Sequence, residues 1–329
     1  MNANFVFGIG NPLIDITITV TDEDLISLGI NKGTMELVDE KRQKEIFDYF
    51  QSSEPRFNPG GSAPNTILAC AALGADSHIS GKIGKDHFAD IYLKRVNQYG
   101  ADSGLVQGNG TTGSSIILVT PDGERSMNTH LGICREYSSD NIDVKKLSRS
   151  NYLYFTGYMW DTESQKTAIQ KAISVAHENK IKIVFDIADP FVVERNRNEF
   201  LELIKNDVDI VFANHVELKI LFNSESIEHA TNALIDIVDS AGIKLGKKGS
   251  IIFNKKNKYT IKPKPILALD STGAGDMYAA GFLASISKKN DYEEAGKVAV
   301  QLAEEIIQIQ GAQFEKSEMD KLKSNIFCT

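Results

Sequence analysis

Apolar positions fall first into short runs and half-solvated alternations, and from about residue 150 into a regular strand–helix rhythm. Phe5–Gly10 is a continuous apolar run and predicts a buried strand. Ile14–Val20 alternates apolar and polar, the period of a strand with one wet face, and Thr34–Val38 is a candidate partner for it. Asp39 is placed to cap a helix reaching about Gln51, with Ile46, Phe47 and Phe50 on one face. A small-residue helix over Ser62–Leu73 stops at Gly74, and an amphipathic one over Lys85–Tyr99 stops at Gly100. Ser114–Thr120 and Arg125–His130 flank Pro121-Asp122-Gly123. Proline presets φ and Asp-Gly tolerates the reversal, so this stretch predicts a hairpin.

Beyond it the pattern predicts strands Tyr152–Tyr158, Ile181–Asp186 and Asp209–Ala213, alternating with helices Gln165–Glu178, Asn196–Ile204 and Val216–Phe222. A helix over His229–Ser240, a hairpin around Gly249–Ile261 and helices Ala274–Ser287 and Glu293–Ile309 follow. This order implies an α/β fold whose mostly parallel sheet is covered on both faces. The half-wet pieces near 14–38 and 111–130 do not fit such a sheet. They are expected to form a small antiparallel β lid beside a core built from 1–13, 39–110 and 131–329.

Composition narrows the function classes. The 329 residues include 42% hydrophobic and 24% charged positions, which excludes a disordered or collagen-like chain. Acidic residues outnumber basic ones 44 to 36, for a net charge of −8, which argues against bulk nucleic-acid binding. Cys70, Cys134 and Cys328 are far apart and form no CxxC or zinc spacing. The N-terminal stretch lacks a basic leader region, and no apolar run reaches the 18 residues of a membrane span, so a cytoplasmic protein without a membrane partner is expected.

Asp270-Ser-Thr-Gly-Ala-Gly-Asp276, followed by a small-residue helix, is the strongest chemical signal. Gly273, Ala274 and Gly275 bring backbone N–H groups to a helix start, where unpaired donors favour an anion. Asp276 beside them is placed to take a proton from a hydroxyl while the amides hold charge developing on a phosphoryl group. A Walker loop is absent, since Gly-Lys at 81, 84, 246 and 296 is never followed by Ser or Thr. Gly8-Ile-Gly10 begins a dinucleotide fingerprint, but Leu13 stands where its third glycine belongs. Gly60-Gly61-Ser62-Ala63-Pro64-Asn65 opens a helix as either a ligand-binding turn or a simple cap. Asn11 and Asp15 follow the first strand, where a carboxylate can grip a diol or merely meet solvent. Asn214-His215-Val216-Glu217 offers oxygen ligands suited to Mg²⁺, or a plain capping box.

GGSAPN, NHVE and DSTGAGD in this order resemble the ribokinase-like (PfkB-type) family of carbohydrate and nucleoside kinases over essentially the whole chain. Gly-Asn-Pro-Leu-Ile-Asp near the start and Gly-Glu-Arg-Ser after the hairpin turn are most similar to its adenosine-kinase branch. The resemblance implies a three-layer sandwich with a lid that closes over the sugar and excludes water. It implies ATP and Mg²⁺, leaves a monovalent cation open, and makes Asp276 the general base with Gly273, Ala274 and Gly275 as the anion hole. Asn11, Asp15, Gly60, Gly61 and Asn65 would bind the sugar, Asn214 and Glu217 would organise Mg²⁺ and phosphate, and Arg125 would help neutralise the phosphates. Gly246 and Gly249 would approach the nucleotide, although Lys244 stands about where the family often has threonine.

Trp160, the one tryptophan, follows a strand end and is a candidate either to stack on a nucleobase or to pack at the sheet rim. The expected activity is transfer of a phosphoryl group from ATP to a primary hydroxyl of a ribose-like acceptor, adenosine or a related purine nucleoside first. A free-sugar kinase and a non-catalytic ligand sensor are the alternatives. A monomer and a homodimer joined through lid edges both remain open.

Overall fold

The computed structural model describes residues 5–327, so Cys328 and the first four residues of the expected core lie outside the described part. In chain order the strands are β1 (Phe5–Ile9), β2 (Leu13–Thr19), β3 (Met35–Leu37), β4 (Arg56–Gly60), β5 (Asp76–Ile83), β6 (Asp102–Gln107) and β7 (Gly113–Val119). They continue as β8 (Arg125–His130), β9 (Tyr152–Thr156), β10 (Lys182–Asp186), β11 (Ile210–Asn214), β12 (Ser240–Lys244), β13 (Ser250–Phe253) and β14 (Lys258–Ile261).

Nine strands form one sheet in the order β14-β13-β12-β11-β10-β9-β1-β5-β6. All pairs from β12 to β6 are parallel, and the β12–β13–β14 end is antiparallel. Successive side chains on a strand point to opposite faces, and each face has its own core. Val6, Tyr154, Val184 and Phe212 pack with helices Ser62–Ala72, Ala274–Ser287 and Tyr292–Ile306 on one side. Phe7, Phe155, Phe185 and Val211 pack with helices Glu163–Asn179 and Pro190–Asn206 on the other. Burial on both faces explains why these strands read as apolar runs. No helix among the described residues is long and apolar enough to cross a membrane.

The second sheet has five strands in the order β3-β8-β7-β2-β4. The predicted hairpin β7–β8 is antiparallel, as is β2–β4, whereas β2 runs parallel to β7 and β3 parallel to β8. The antiparallel character expected of the small sheet therefore belongs to two of its four pairings. Thr34–Val38 contributes only Met35–Leu37, and it pairs with β8 rather than with β2. The strand that pairs antiparallel with β2 is instead β4, from a segment expected to belong to the core. Pro59 near its end and exposure of Arg56, Phe57 and Asn58 hide it as a strand.

Other elements differ at their ends. The helix expected from Asn196 begins at Pro190 and kinks at Asn196, whose φ of −118° and ψ of 17° leave the helical region. The helix expected to reach Ser240 ends at Ile235, and Ser240 opens β12.

Candidate active site

The C-terminal ends of β9–β12 and the start of helix Ala274–Ser287 face the small sheet across a cleft of about 1850 Å³. Helix Ala274–Ser287 starts at Gly273, whose φ of +75° an L side chain rarely adopts and where a Cβ would lie 2.6 Å from Ala312. The N–H of Ala274 is taken by the Ser271 carbonyl at 3.3 Å. The N–H groups of Gly275 and Asp276 meet no acceptor among the described residues. Those two amides, with the N–H of Gly273, which likewise meets no acceptor among the described residues, form the open part of the helix start, and Ala274 contributes less to it than its sequence position implies.

The Asp276 carboxylate accepts from Ser62 Oγ at 2.6 Å and from Asn65 Nδ2 at 2.9 Å. Burial pushes its pKa up to about 7, against the pull of those two hydrogen bonds. Gln313 Nε2 donates to Asn65 Oδ1 at 2.6 Å, so the amide of Asn65 is fixed with its donor toward Asp276. The other end of Gln313, Oε1, is buried without a hydrogen bond.

Asp15 on β2 lies in register with Asn58 of β4 and Ser115 of β7 and is half-buried in the cleft. Burial raises its pKa to about 7, with Arg125 pulling it down and Asp276 pushing it up. Asn11 lies between β1 and β2, and its Oδ1 accepts from Gln165 Nε2 at 2.7 Å. Gly60 ends β4, and a Cβ there would come within 2.4 Å of the Asp15 carboxylate. At Gly61, φ is +96° and a Cβ would sit 2.1 Å from the Asn11 carbonyl oxygen. The turn before Ser62 thus tolerates only glycine, and it delivers Ser62 and Asn65 to Asp276. Asn11, Asp15, Gly61, Asn65 and Asp276 all line the cleft together.

Arg125 opens β8 and is anchored to the Asp270–Asp276 motif itself. Its Nη1 donates to both Asp270 oxygens at 2.8 Å and also contacts the Thr272 hydroxyl. Gly246, in a short 3₁₀ turn after β12, and Gly249 at its end both line the cleft.

Asn214 and Glu217 are joined to each other. Asn214 Oδ1 accepts from the N–H groups of Val216 and Glu217 at 2.8 and 3.0 Å, and Glu217 Oε2 accepts from Asn214 N at 2.7 Å. Glu217 Oε1 accepts from Asn214 Nδ2. This is a complete capping box. No group of three or more His, Cys, Asp or Glu side chains among the described residues is arranged to hold a metal. The expected pair therefore offers no direct ligand cage. Each carboxylate oxygen keeps a lone pair, which fits an outer-sphere role toward a hydrated Mg²⁺. Burial holds Glu217 well above the usual carboxylate range, with Lys244 pulling it down.

Trp160 is 9% exposed, stacks on Phe155 at 6.3 Å and donates Nε1 to Glu199 at 3.0 Å. It packs at the sheet rim and also lines the cleft. Four further side chains, Ser62, Gln313, Gln165 and Asp186, take part in or support the site. Only Ser62 had a signal, inside GGSAPN, and the other three are isolated polar residues until the fold brings them in.

Comparison with known proteins bears on this arrangement. Residues 25–319 match the family described as pfkB family carbohydrate kinase. The chain belongs to that family. It is a phosphotransferase with an alcohol group as acceptor, and ATP is the donor the family implies. The chain is 32% identical to the solved adenosine kinase of Sinorhizobium meliloti, covering 98% of this chain and 99% of that one with a TM-score of 0.90. It is 31% identical to a probable sugar kinase of Rhizobium etli, with 99% and 100% covered and a TM-score of 0.91. Adenosine kinase of Saccharomyces cerevisiae is 28% identical over 336 residues, covering 96% of this chain and 98% of that protein. These likenesses place the chain in the adenosine-kinase-like branch of the ribokinase fold.

Proposed function

We propose that this kinase phosphorylates a primary hydroxyl of a purine nucleoside, adenosine first, with Asp276 as general base. The observation that carries the reading is the position of Asp276. Ser62 and Asn65 hold its carboxylate on the acceptor side, while the open amides of Gly275 and Asp276 lie on the donor side. The acceptor oxygen attacks the γ-phosphorus of ATP and its proton passes to Asp276. The bond between the γ-phosphorus and the bridging oxygen breaks, and ADP leaves. A carboxylate poised near pH 7 suits that transfer. Asp15, Asn11 and Asn65 address the ribose hydroxyls. Asn214 and Glu217 would hold the water shell of a Mg²⁺ ion brought by the triphosphate, and that ion would spread the phosphate charge.

The wall contributed by the small sheet favours a nucleoside. Leu13, Met35, Leu37, Ile117, Met127 and Leu131 line the cleft there, an apolar surface that a free sugar would leave wet and a base would cover. The likeness to a probable sugar kinase keeps the free-sugar reading as second.

ADP release with ATP-Mg²⁺ against adenosine, inosine, guanosine, ribose and fructose tests both readings. Turnover with a purine nucleoside is expected. Turnover with free sugars alone would keep the chemistry and overturn the acceptor, and binding without turnover would favour a ligand sensor.

A further inference from the structure

Lys244 has no part in the reading above, yet it is the cation beside the helix start. It ends β12, in register with Asn214 at the end of β11. Its Nζ lies 3.2 Å from where a Cβ on Gly275 would be, next to the open amides. The ammonium is largely buried, lines the cleft, and has one carboxylate partner, Asp186 at the end of β10, at 3.1 and 3.4 Å.

The combination is electrostatically unbalanced. A helix N-terminus carries partial positive charge, and a buried ammonium beside it is repelled. An ammonium has three donors, and among the described residues Asp186 is its only hydrogen-bond partner. Asp186 and Glu217 keep Lys244 charged although burial acts against it. A structural ion pair would be better placed away from the open amides. A fixed cation beside them suits a site whose missing component is a polyanion.

We infer that Lys244 is a further catalytic residue, contacting the transferring phosphoryl group of the donor and drawing charge off it together with the amides of Gly275 and Asp276. Asp186 is its positioning residue, holding the ammonium so that little reorganisation is needed during transfer. The inference rests on ATP as donor and does not depend on which acceptor is used.

The test compares wild type, Lys244→Met and the double variant Asp186→Asn/Lys244→Met. The double variant removes the cation without leaving a buried carboxylate unpaired. Inorganic tripolyphosphate is titrated calorimetrically, and kcat and KM are measured with the best acceptor. Both variants are expected to bind tripolyphosphate at least about tenfold more weakly than wild type. Their kcat should fall about 100-fold while the acceptor KM stays within about threefold. The double variant should melt cooperatively near the wild-type midpoint.

A double variant with wild-type tripolyphosphate affinity and kcat would show that Lys244 serves only to satisfy Asp186. Loss of cooperative melting in the double variant, or no tripolyphosphate binding by wild type, would equally overturn the inference. If wild type turns over no nucleoside, the acceptor assignment fails and the titration still reads Lys244.

Discussion

Arg125 of the small sheet and Asp270 of the large unit form a bridge across the cleft mouth, with Nη1 2.8 Å from both carboxylate oxygens. Both side chains are mostly buried, at 16% and 10% exposure. Burial alone would raise the Asp270 pKa. The N–H groups of Gly311 and Thr272, the Thr272 hydroxyl and Arg125 hold it below the usual carboxylate range instead. The small sheet is therefore fastened to the very loop that leads into the helix carrying Asp276.

Breaking that bridge should cost stability. Asp270→Asn leaves a buried guanidinium unpaired and is expected to lose on the order of 3 kcal/mol in urea unfolding at pH 7. Because the folded-state pKa is lowered, the carboxylate's contribution is present above about pH 4. It disappears as pH falls further, so wild type and variant should converge in acid. A constant gap down to pH 3 would contradict this account.

Asp276→Asn should reduce kcat by about 10²–10⁴-fold. Wild-type kcat/KM for the acceptor should rise with pH and level off above about 7, where the carboxylate is ionised. Stability should move the other way. The folded pKa is raised from 3.8, so charging the buried group costs stability as pH climbs from about 4 to about 7. Asp276→Asn is expected to melt a few degrees above wild type at pH 8, at roughly 4 °C per kcal/mol or less for a chain of this size, and to show no gain near pH 4.

Gln313 acts on Asp276 through Asn65. Gln313→Leu frees the Asn65 amide to turn, removing a donor that lowers the Asp276 pKa. The acid limb of the rate profile should shift upward, and kcat at pH 7 should drop about tenfold. An unchanged limb would place Gln313 in packing alone.

Asn214→Ala removes the cap of the helix His215–Leu221 and should cost about 1 kcal/mol. It also frees Glu217, so the Mg²⁺ concentration needed for half-maximal rate should change several-fold while acceptor KM holds. Initial rates across a magnesium series check this.

The parts of the fold that were legible in the sequence share one property: their pattern is local. Strands such as Phe5–Ile9 and helix Ala274–Ser287 announce themselves by apolar runs and by Gly273 and Asp276 at a helix entry. DSTGAGD marks the helix entry without reference to anything else. β4, with Pro59 inside it and an exposed outer half, has no such pattern. β5 is buried yet carries Ser77, His78, Ser80 and Lys82, polar residues that disguise it. Lys244 and Asp186 are 58 positions apart and meet only because parallel strands bring their ends side by side. Asn65 and Gln313 are 248 apart, and nothing near Gln313 distinguishes it from a surface glutamine.

Every strand of the small sheet lies before residue 131, whereas Asp270 and Asp276 come in the last fifth of the chain. During translation the acceptor wall is thus written long before the groups that would spend ATP. A product cut short before residue 270 has Arg125 without its carboxylate and Asn65 without Asp276. It also lacks helices Ala274–Ser287 and Tyr292–Ile306, two of the three that cover one face of the large sheet, leaving apolar surface open to proteases. A chain truncated before residue 270 is therefore expected to be cut by protease faster than the full chain and to show no phosphotransfer.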